Sequence, residues 1–466
     1  MSIPIHPGRI ILWSALILLQ PAMNATSQDK PPAVSVKHEY KKINELNLLG
    51  SLTIVHYQLA NGLQVAIVRD TTTPVFTYQT WFKTGSADEA SGRQGLAHLF
   101  EHMMFRETKN HSMGEFDKFV NENGGRGTNA YTARDQTVYF FSFPEDKFKS
   151  VADIEADRMI NLVIDSAMFE TEKGAVLTEK KRGLSDPTRF LWEKVYDIAY
   201  TKHAYKYSGI GEESSIKSFT VKEAKDFYKN FYSPNNALIL VVGDVDPDKA
   251  MDMVAARYGP YQPSQTKKRE VTTESPQQED RTATVTHPNA TQRAMAKVWH
   301  IPNMQHSDYP ALSMVGRLLT AGKSAILNQR LVDNAKVTSL FADAYMSKDL
   351  GTFEFYVQLS EGESYEDIEK IFHDSMTELA GGTISDEQIQ IVKNNILKDL
   401  YRSVTNPSSL AGLLGDGYIY ANDLAFQINV AGQIDKVTRD DIKRVIAKYI
   451  LNGKSTTVKL EPEKKS

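Results

Sequence analysis

One arrangement of residues occurs twice in this 466-residue chain, at a constant separation of 218 positions. Thr220 and Thr438 each stand three positions before an acidic residue, a pattern that begins many helices by capping their free amide groups. Each predicted helix leads to a strand-like run, at residues 237–242 and 455–460. Capping patterns are common, so a chance match is the alternative. The constant separation of both elements favours the duplication of one structural unit.

The residue pattern around these elements predicts both strands and helices. Residues 54–59 alternate in polarity, and an Asn-Gly pair then leads into the apolar run 63–68, as in a β-hairpin. Helical spacing dominates from residue 91 to residue 216, apart from a strand-like run at 137–143. We therefore expect an α+β fold of two related α/β sandwich repeats that face each other across a cleft. Each repeat would be a mostly antiparallel sheet with helices packed on it.

Composition divides the chain into four segments. Residues 1–27 have a weakly basic start, about ten apolar residues and then small residues, which is the layout of a secretory signal peptide. An uncleaved membrane anchor is the alternative, and no other segment is apolar enough to insert stably in a membrane. The polar stretch 261–281 is typical of a linker. We expect a first repeat at 28–260, a second at 282–466, and export of the protein to the periplasm.

The overall composition excludes several classes of function. The formal net charge is −4 and the basic residues are scattered, which argues against nucleic acid as a partner. Cysteine is absent, so disulfides, cysteine-bound zinc, iron–sulfur clusters and thiol catalysis are excluded together. The sequence also lacks a Gly-x-Ser-x-Gly motif and a phosphate-binding loop. Any bound metal must therefore be held by His, Asp or Glu side chains.

The most informative segment is His98-Leu-Phe-Glu101-His102, which follows Ser91 and Gln94. Ser91 with Gln94 has the pattern of a capping box, so we expect a helix to begin there. The two histidines and the glutamate then share one face of that helix. Two imidazoles one turn apart can bind a single metal ion, and the carboxylate between them lies near the open coordination position. A helix with two surface histidines is the alternative.

Catalytic zinc normally has three protein ligands and a water, so a third ligand is needed. Glu172, Val176 and Glu179 occupy one stripe of a predicted helix. Carboxylates beside an apolar side chain would be partly buried, which is costly unless they bind something. A solvated acidic face, balanced by neighbouring lysines and arginines, is an equally good interpretation of this spacing.

Together these residues resemble the family of pitrilysin, insulin-degrading enzyme and mitochondrial processing peptidase, the inverzincins. The motif of that family is His-x-x-Glu-His, then 76 residues, then Glu, and 76 residues separate His102 from Glu179. The resemblance implies one zinc ion per chain, held by His98, His102 and Glu179. It further implies that Glu101 is the general base and that Glu172 is a supporting catalytic carboxylate.

The resemblance also includes residues 129–139, where relatives form an edge strand that pairs with the substrate backbone. It implies that a peptide binds in extended form beside Asn129, Ala130 and Tyr131. Asn129 is alternatively a turn residue, because glycines precede it. The match covers nearly all of residues 50–260. The implied activity is that of a zinc metalloendopeptidase, which hydrolyses peptides or unfolded polypeptides.

The second repeat resembles the family's non-catalytic repeat less closely. Relatives often carry an Arg and, seven residues later, a Tyr, and both reach the substrate. The matching positions hold Val332 and Ser339, while Arg330 and Tyr345 are out of phase. We therefore expect a dimer in which this chain is the metal-bearing subunit and a homologous partner supplies the Arg–Tyr pair. A self-sufficient homodimer is the alternative assembly, and a non-catalytic scaffold or peptide-binding subunit is the alternative function.

Overall fold

The computed structural model describes residues 39–48, 52–265 and 271–463. The predicted signal peptide at 1–27 lies outside these residues. None of the helices in the described part of the chain combines the length and the apolar character needed to cross a membrane.

Both halves of the described chain contain strands and helices. The strands are β1 (Tyr40–Asn47), β2 (Thr53–Leu59), β3 (Gln64–Arg69), β4 (Val75–Phe82), β5 (Arg126–Thr132), β6 (Thr137–Pro144), β7 (Ala237–Gly243), β8 (Arg281–His287), β9 (Ala294–Ile301), β10 (Val337–Tyr345), β11 (Gly351–Leu359) and β12 (Ser455–Pro462). The helices are α1 (Leu96–Met103), α2 (Glu115–Glu122), α3 (Phe148–Asn161), α4 (Ser166–Leu184), α5 (Pro187–Ala199), α6 (Glu213–Ser218), α7 (Val221–Phe231), α8 (Pro247–Tyr258), α9 (Tyr309–Thr320), α10 (Tyr365–Gly381), α11 (Asp386–Val404), α12 (Pro407–Ala421), α13 (Phe426–Asp435) and α14 (Arg439–Val445).

The strands form two sheets with a common strand order. The first sheet runs β1-β2-β3-β7-β4-β6-β5 and the second runs β10-β11-β9-β12-β8. Five strands of the first sheet, in the order β3-β7-β4-β6-β5, correspond to the second sheet in the order β8-β12-β9-β11-β10. In this shared set, β7 lies parallel to β3 and β12 lies parallel to β8. All other neighbours in the set are antiparallel. The predicted α+β fold of two related repeats is confirmed.

The two capping threonines hold equivalent positions in the repeats. The hydroxyl oxygen of Thr220 accepts a hydrogen bond from the amide of Glu223 at the start of α7. The hydroxyl oxygen of Thr438 does the same for Asp441 at the start of α14. In each repeat the capped helix leads to an interior strand of the sheet, β7 between β3 and β4 or β12 between β8 and β9. These predicted helix starts are confirmed.

The two halves exchange a helix. α5, from the first half, packs Leu191 and Val195 against apolar side chains of β9 and β12 in the second sheet. α12, from the second half, packs against β4 and β7 in the first sheet. The contact is close at Gly415, where a Cβ atom would lie 2.2 Å from ring atoms of Trp81. Each half therefore completes the apolar core of the other.

Candidate metal centre

The candidate metal ligands lie on two helices of the first half that pack against each other. α1 carries His98, Glu101 and His102, and the longer α4 carries Glu172 and Glu179. Both glutamates fall on the stripe of α4 that faces α1. The predicted helical spacing of both motifs therefore holds in the structure, and it brings the two motifs together.

The start of α1 differs from the prediction. The helix begins after Gly95, and its capping carboxylate is Glu89, not the predicted pair Ser91 and Gln94. The carboxylate of Glu89 accepts hydrogen bonds from the amide of Gly95 at 2.8 Å and from the amide of Ala97 at 2.7 Å. The capping-box prediction was wrong because the carboxylate of Glu89 lies in a preceding turn. Its distance along the chain from the helix start is longer than in any local capping pattern. Burial raises the pKa of Glu89 to about 8, and the hydrogen bonds from the amides of Ala97 and Gly95 oppose this rise.

The three predicted ligands converge on one small space. The Nε2 atoms of His98 and His102 lie 3.6 and 3.3 Å from the same carboxylate oxygen of Glu179. One donor atom from each side chain lies within 4.8 Å of the other two. Among the described residues, these three form the one group of His, Cys, Asp and Glu side chains with this geometry. Two imidazoles and a carboxylate form a known ligand set for catalytic zinc, so the donor chemistry fits that ion.

The charge around these atoms also suits a cation. Burial lowers the pKa of His98 to about 4, so its imidazole is neutral and can offer a lone pair. Burial also acts to lower the pKa of His102, but contacts with Glu172 and Glu179 outweigh it and raise that pKa to about 9. The negative charge that stabilises a proton on His102 would equally stabilise a divalent metal ion there.

Glu172 lies behind His102, outside the space between the three donor atoms. Its carboxylate is buried, at 2% exposure, and lies 3.6 Å from Nδ1 of His102. On its other side it pairs with Arg106, whose Nε atom lies 2.8 Å away. A carboxylate on the remote nitrogen of a histidine fixes the ring's tautomer and orientation. The structure thus gives Glu172 the position of a residue that orients His102.

Glu101 stands beside the candidate ligands. Its carboxylate lies 4.0 Å from Nε2 of His98 and accepts a hydrogen bond of 2.7 Å from the hydroxyl of Thr132. Burial raises the pKa of Glu101 to about 7. A carboxyl group with a pKa near neutrality can both accept and release a proton under ordinary conditions.

The strand predicted to bind substrate is an edge strand. β5 pairs with β6 on one side and is the last strand of its sheet. Asn129 lies within β5, not in a turn, and is exposed, while Ala130 is buried and Tyr131 is 38% exposed. Because Thr132 of the same strand contacts Glu101, the open edge runs past the candidate metal centre. An extended peptide could add to this edge.

The second half has an ion pair where the first half has the candidate metal ligands. α9 and α11 correspond to α1 and α4, and they are joined by an ion pair of 3.2 Å between Arg317 and Asp399. Val332 ends a π-helical segment and Ser339 lies in β10. Arg330 pairs with Glu378 on α10 at 2.6 Å, so its guanidinium is already bound within the second half.

Sequence reasoning missed three residues that organise the centre: Glu89, Arg106 and Thr132. Arg106 carried a weak signal, because it lies one helical turn beyond His102. Glu89 and Thr132 reach α1 from other parts of the chain, and no local pattern connects them to it.

Two family models match the chain. Residues 64–213 match the Insulinase (Peptidase family M16) model, and residues 218–396 match the Peptidase M16 inactive domain model.

Similar proteins include zinc proteases and subunits of a peptidase. A protein named zinc protease PqqE, from Helicobacter pylori, is 31% identical over 87% of this chain and 92% of its own length. The beta subunit of the mitochondrial-processing peptidase from Blastocladiella emersonii is 22% identical over 87% of this chain and 88% of its own. The crystal structure of a protease from Helicobacter pylori has a TM-score of 0.82 at 29% identity, and the match covers 91% of this chain and all of that one.

Proposed function

This chain belongs to peptidase family M16, and from that premise we propose that it is a zinc-dependent endopeptidase acting on peptides or unfolded polypeptides. The observation that carries the proposal is the convergence of His98, His102 and Glu179 from two helices within 4.8 Å. These three side chains would hold one zinc ion. A bound zinc ion would supply polarisation of the scissile carbonyl and a lowered pKa for a water molecule.

In this proposal Glu101 is the general base. Its carboxylate takes a proton from the attacking water and later delivers that proton to the nitrogen of the leaving amine. The hydroxyl of Thr132 holds the carboxylate in place through a hydrogen bond of 2.7 Å. Glu172 and Arg106 keep the ring of His102 in one orientation. The substrate backbone pairs with the open edge of β5 at Asn129, Ala130 and Tyr131. This pairing aligns a peptide bond of the substrate with Glu101.

The assembly that we propose is a heterodimer with a homologous partner. At the two positions where relatives often carry an Arg and a Tyr, this chain has Val332 and Ser339, and Arg330 is held by Glu378. The partner would supply the missing pair to the substrate. The similarity to a protein named as the beta subunit of a peptidase supports this arrangement. Full peptidase activity of the purified chain alone would rule it out in favour of a homodimer.

A non-catalytic scaffold or peptide-binding subunit of the same fold is the second candidate function. It is favoured by the match of residues 218–396 to a model described as an inactive domain. That match covers the end of the first half and most of the second, and it does not include the candidate ligands. The group His98, His102 and Glu179 lies in the half that matches the Insulinase model, which supports catalysis over a scaffold role.

The test combines metal analysis with peptide cleavage. We expect about one zinc ion per chain in the purified protein and in Glu101→Gln, measured by inductively coupled plasma mass spectrometry. In the presence of the homologous partner, cleavage of an unstructured peptide should occur with the wild type, be lost on chelation, and be absent in Glu101→Gln. Glu107→Gln, which changes an exposed glutamate nearby, should retain activity. Absence of zinc, or full activity of Glu101→Gln, would contradict the proposal.

We also propose that the chain is exported to the periplasm through residues 1–27. The support is the signal-peptide pattern of these residues in the sequence. Mass spectrometry of the protein recovered from the periplasmic fraction would reveal a mature N-terminus near residue 28. Recovery of the uncleaved chain with the membrane fraction would indicate an anchor instead.

A further inference from the structure

A group of hydrogen-bond donors lies where the two halves of the chain meet, beyond the end of β4. Lys83 directly follows that strand and lies on the same side of the sheet as Trp81, towards α12. Its ammonium group donates a hydrogen bond of 2.9 Å to the hydroxyl of Tyr418 on α12. Lys348, in the turn between β10 and β11, brings a second positive charge from the second half. We call Lys83, Lys348 and Tyr418 the junction cluster.

The junction cluster has hydrogen-bond donors without matching acceptors. The ammonium group of Lys83 has three protons, and the hydroxyl of Tyr418 accepts one of them. The hydroxyl proton of Tyr418 has no acceptor among the described residues. Neither lysine forms an ion pair within the part of the chain that the structure describes. Buried polar groups in proteins are normally satisfied, so this arrangement calls for an added group that is negatively charged and accepts hydrogen bonds.

The junction cluster is partly withdrawn from water, which makes its unbalanced positive charge more costly. Tyr418 is 6% exposed, and Lys83 is half-buried. Burial lowers the pKa of Lys83 to about 8, and repulsion by the charge of Lys348 acts in the same direction. Because Lys83 is only half-buried, a small ligand can still reach its ammonium group.

His56 lies beside the junction cluster but does not neutralise it. The ring of His56 lies edge-on to that of Tyr418, at 6.3 Å between centroids. Its Nε2 atom lies 2.9 Å from Oε1 of Gln64, and since an amide oxygen is an acceptor, Nε2 carries a proton. Burial lowers the pKa of His56, the hydrogen bond with Gln64 opposes this effect, and the charge of Lys83 lowers the pKa further. The imidazole is therefore neutral at pH 7 and adds no negative charge.

We propose that the junction cluster binds a small oxyanion, either a carboxylate or a phosphate group, that bridges the two halves of the chain. Oxygen atoms of this group accept hydrogen bonds from the ammonium of Lys83 and the hydroxyl of Tyr418, and Lys348 adds a second ionic contact. The bound anion offsets the repulsion between the two lysines. The site shares no residue with the candidate metal centre, and the inference does not depend on the proposed peptidase activity.

The test follows anion binding through the ring signal of His56. The full chain would be labelled with carbon-13 histidine, the signal assigned with His56→Gln, and acetate or phosphate titrated against sodium chloride of equal ionic strength. We expect a saturable shift with a Kd of about 1–10 mM for at least one of the two anions. Lys83→Met removes the charge but keeps an apolar chain of similar length, and it should weaken binding by about tenfold or more. Tyr418→Phe and Lys348→Gln should weaken binding several-fold, whereas Lys323→Gln, which changes an exposed lysine of the same half, should not.

Thermal unfolding tests the bridging and shows whether the variants fold. At ten times its Kd, the anion should raise the Tm of the wild type by about 2–4 °C over equal ionic strength of chloride. The Tm of Lys83→Met should not respond to the anion, and without anion it should equal or exceed that of the wild type, because an unpaired half-buried charge has been removed.

The two anions identify the ligand chemistry. A response to acetate alone supports a carboxylate site, a response to phosphate alone supports a phosphate site, and a response to both supports a general oxyanion site. The proposal is overturned if neither anion shifts the His56 signal more than chloride does. It is equally overturned if folded Lys83→Met keeps the full response, since the anion then binds elsewhere.

Discussion

The hydroxyl of Thr132 donates a hydrogen bond of 2.7 Å to the carboxylate of Glu101, which joins the open edge of the first sheet to the proposed general base. Thr132 is the last residue of β5, and Glu101 lies on α1 between the two candidate metal-binding histidines. The strand that would bind the substrate and the group that would activate water are thereby held in one geometry.

Loss of this hydrogen bond should shift the pH dependence of catalysis. The bond lowers the pKa of Glu101 against the opposing effect of burial, which raises it to about 7. Thr132→Val removes the donor, so the pKa rises and less of the base is ionised at low pH. We expect the acidic limb of the kcat/KM profile to move to higher pH. A rise of about one pKa unit would cost about ninefold in kcat/KM at pH 6 and about twofold at pH 8. Thr132→Ser keeps the hydroxyl and should retain the wild-type profile; an unshifted limb in Thr132→Val would contradict this role.

Glu172 should affect metal affinity without being a ligand. Its carboxylate lies between His102 and Arg106 and holds the imidazole in orientation. We expect Glu172→Gln to bind zinc about 10- to 100-fold more weakly than the wild type, measured by competition with a chelating dye. Glu170→Gln is the matched control, since this glutamate lies on the same helix and is 64% exposed. Equal zinc affinity of the Glu172→Gln and Glu170→Gln variants would exclude the orienting role.

Two glycines of α12, the helix that packs on the first sheet, should differ in how they tolerate substitution by alanine. A Cβ atom at Gly415 would lie 2.2 Å from the ring of Trp81, whereas one at Gly412 would meet nothing within 4 Å. Gly415→Ala should lower the free energy of unfolding by about 1–3 kcal/mol through overpacking. Gly412→Ala should leave it unchanged or raise it by up to about 1 kcal/mol, because alanine favours the helix. Urea denaturation of both variants would test this, and equal effects would show that the contact with Trp81 is not tight.

Glu274 should make the protein sensitive to acid. The residue lies in the segment predicted as a linker, where residues 271–280 have no helix or strand, yet it is buried at 7% exposure. Its carboxylate accepts hydrogen bonds of 2.8–3.0 Å from the backbone amides of three consecutive residues, Thr201, Lys202 and His203. Burial opposes ionisation, but these hydrogen bonds outweigh it and lower the pKa of Glu274 to about 2.

The pH range of this effect follows from the lowered pKa. An unfolded glutamate titrates near 4.5, so the stabilisation is present above that pH and is lost as the pH falls towards 2. Glu274→Gln should therefore be less stable than the wild type at pH 7. Between pH 5 and pH 2.5, the unfolding free energy of the wild type should fall by about 1–2 kcal/mol more than that of Glu274→Gln. Chemical denaturation across this range measures it. The exposed Glu279→Gln is the control, and identical slopes for both variants would refute the assignment.

Much of the architecture was predictable because local patterns carry it. The alternating run at 54–59 became β2, the run at 137–143 became β6, and the capped helices after Thr220 and Thr438 became α7 and α14. The start of α1 was not predictable in the same way. Its capping carboxylate, Glu89, contacts the helix through a turn whose path depends on how the surrounding chain packs.

The sequence by itself determined that His98, Glu101 and His102 share one helical face and that Glu172 and Glu179 share another, because helix periodicity is a local property. It also determined the duplication, through the constant separation of equivalent elements. Only the tertiary structure decided that the two helical faces meet, that Thr132 holds Glu101, and that α5 and α12 exchange between the sheets. These contacts join residues far apart in the chain, and they depend on how whole elements pack to bury their apolar faces.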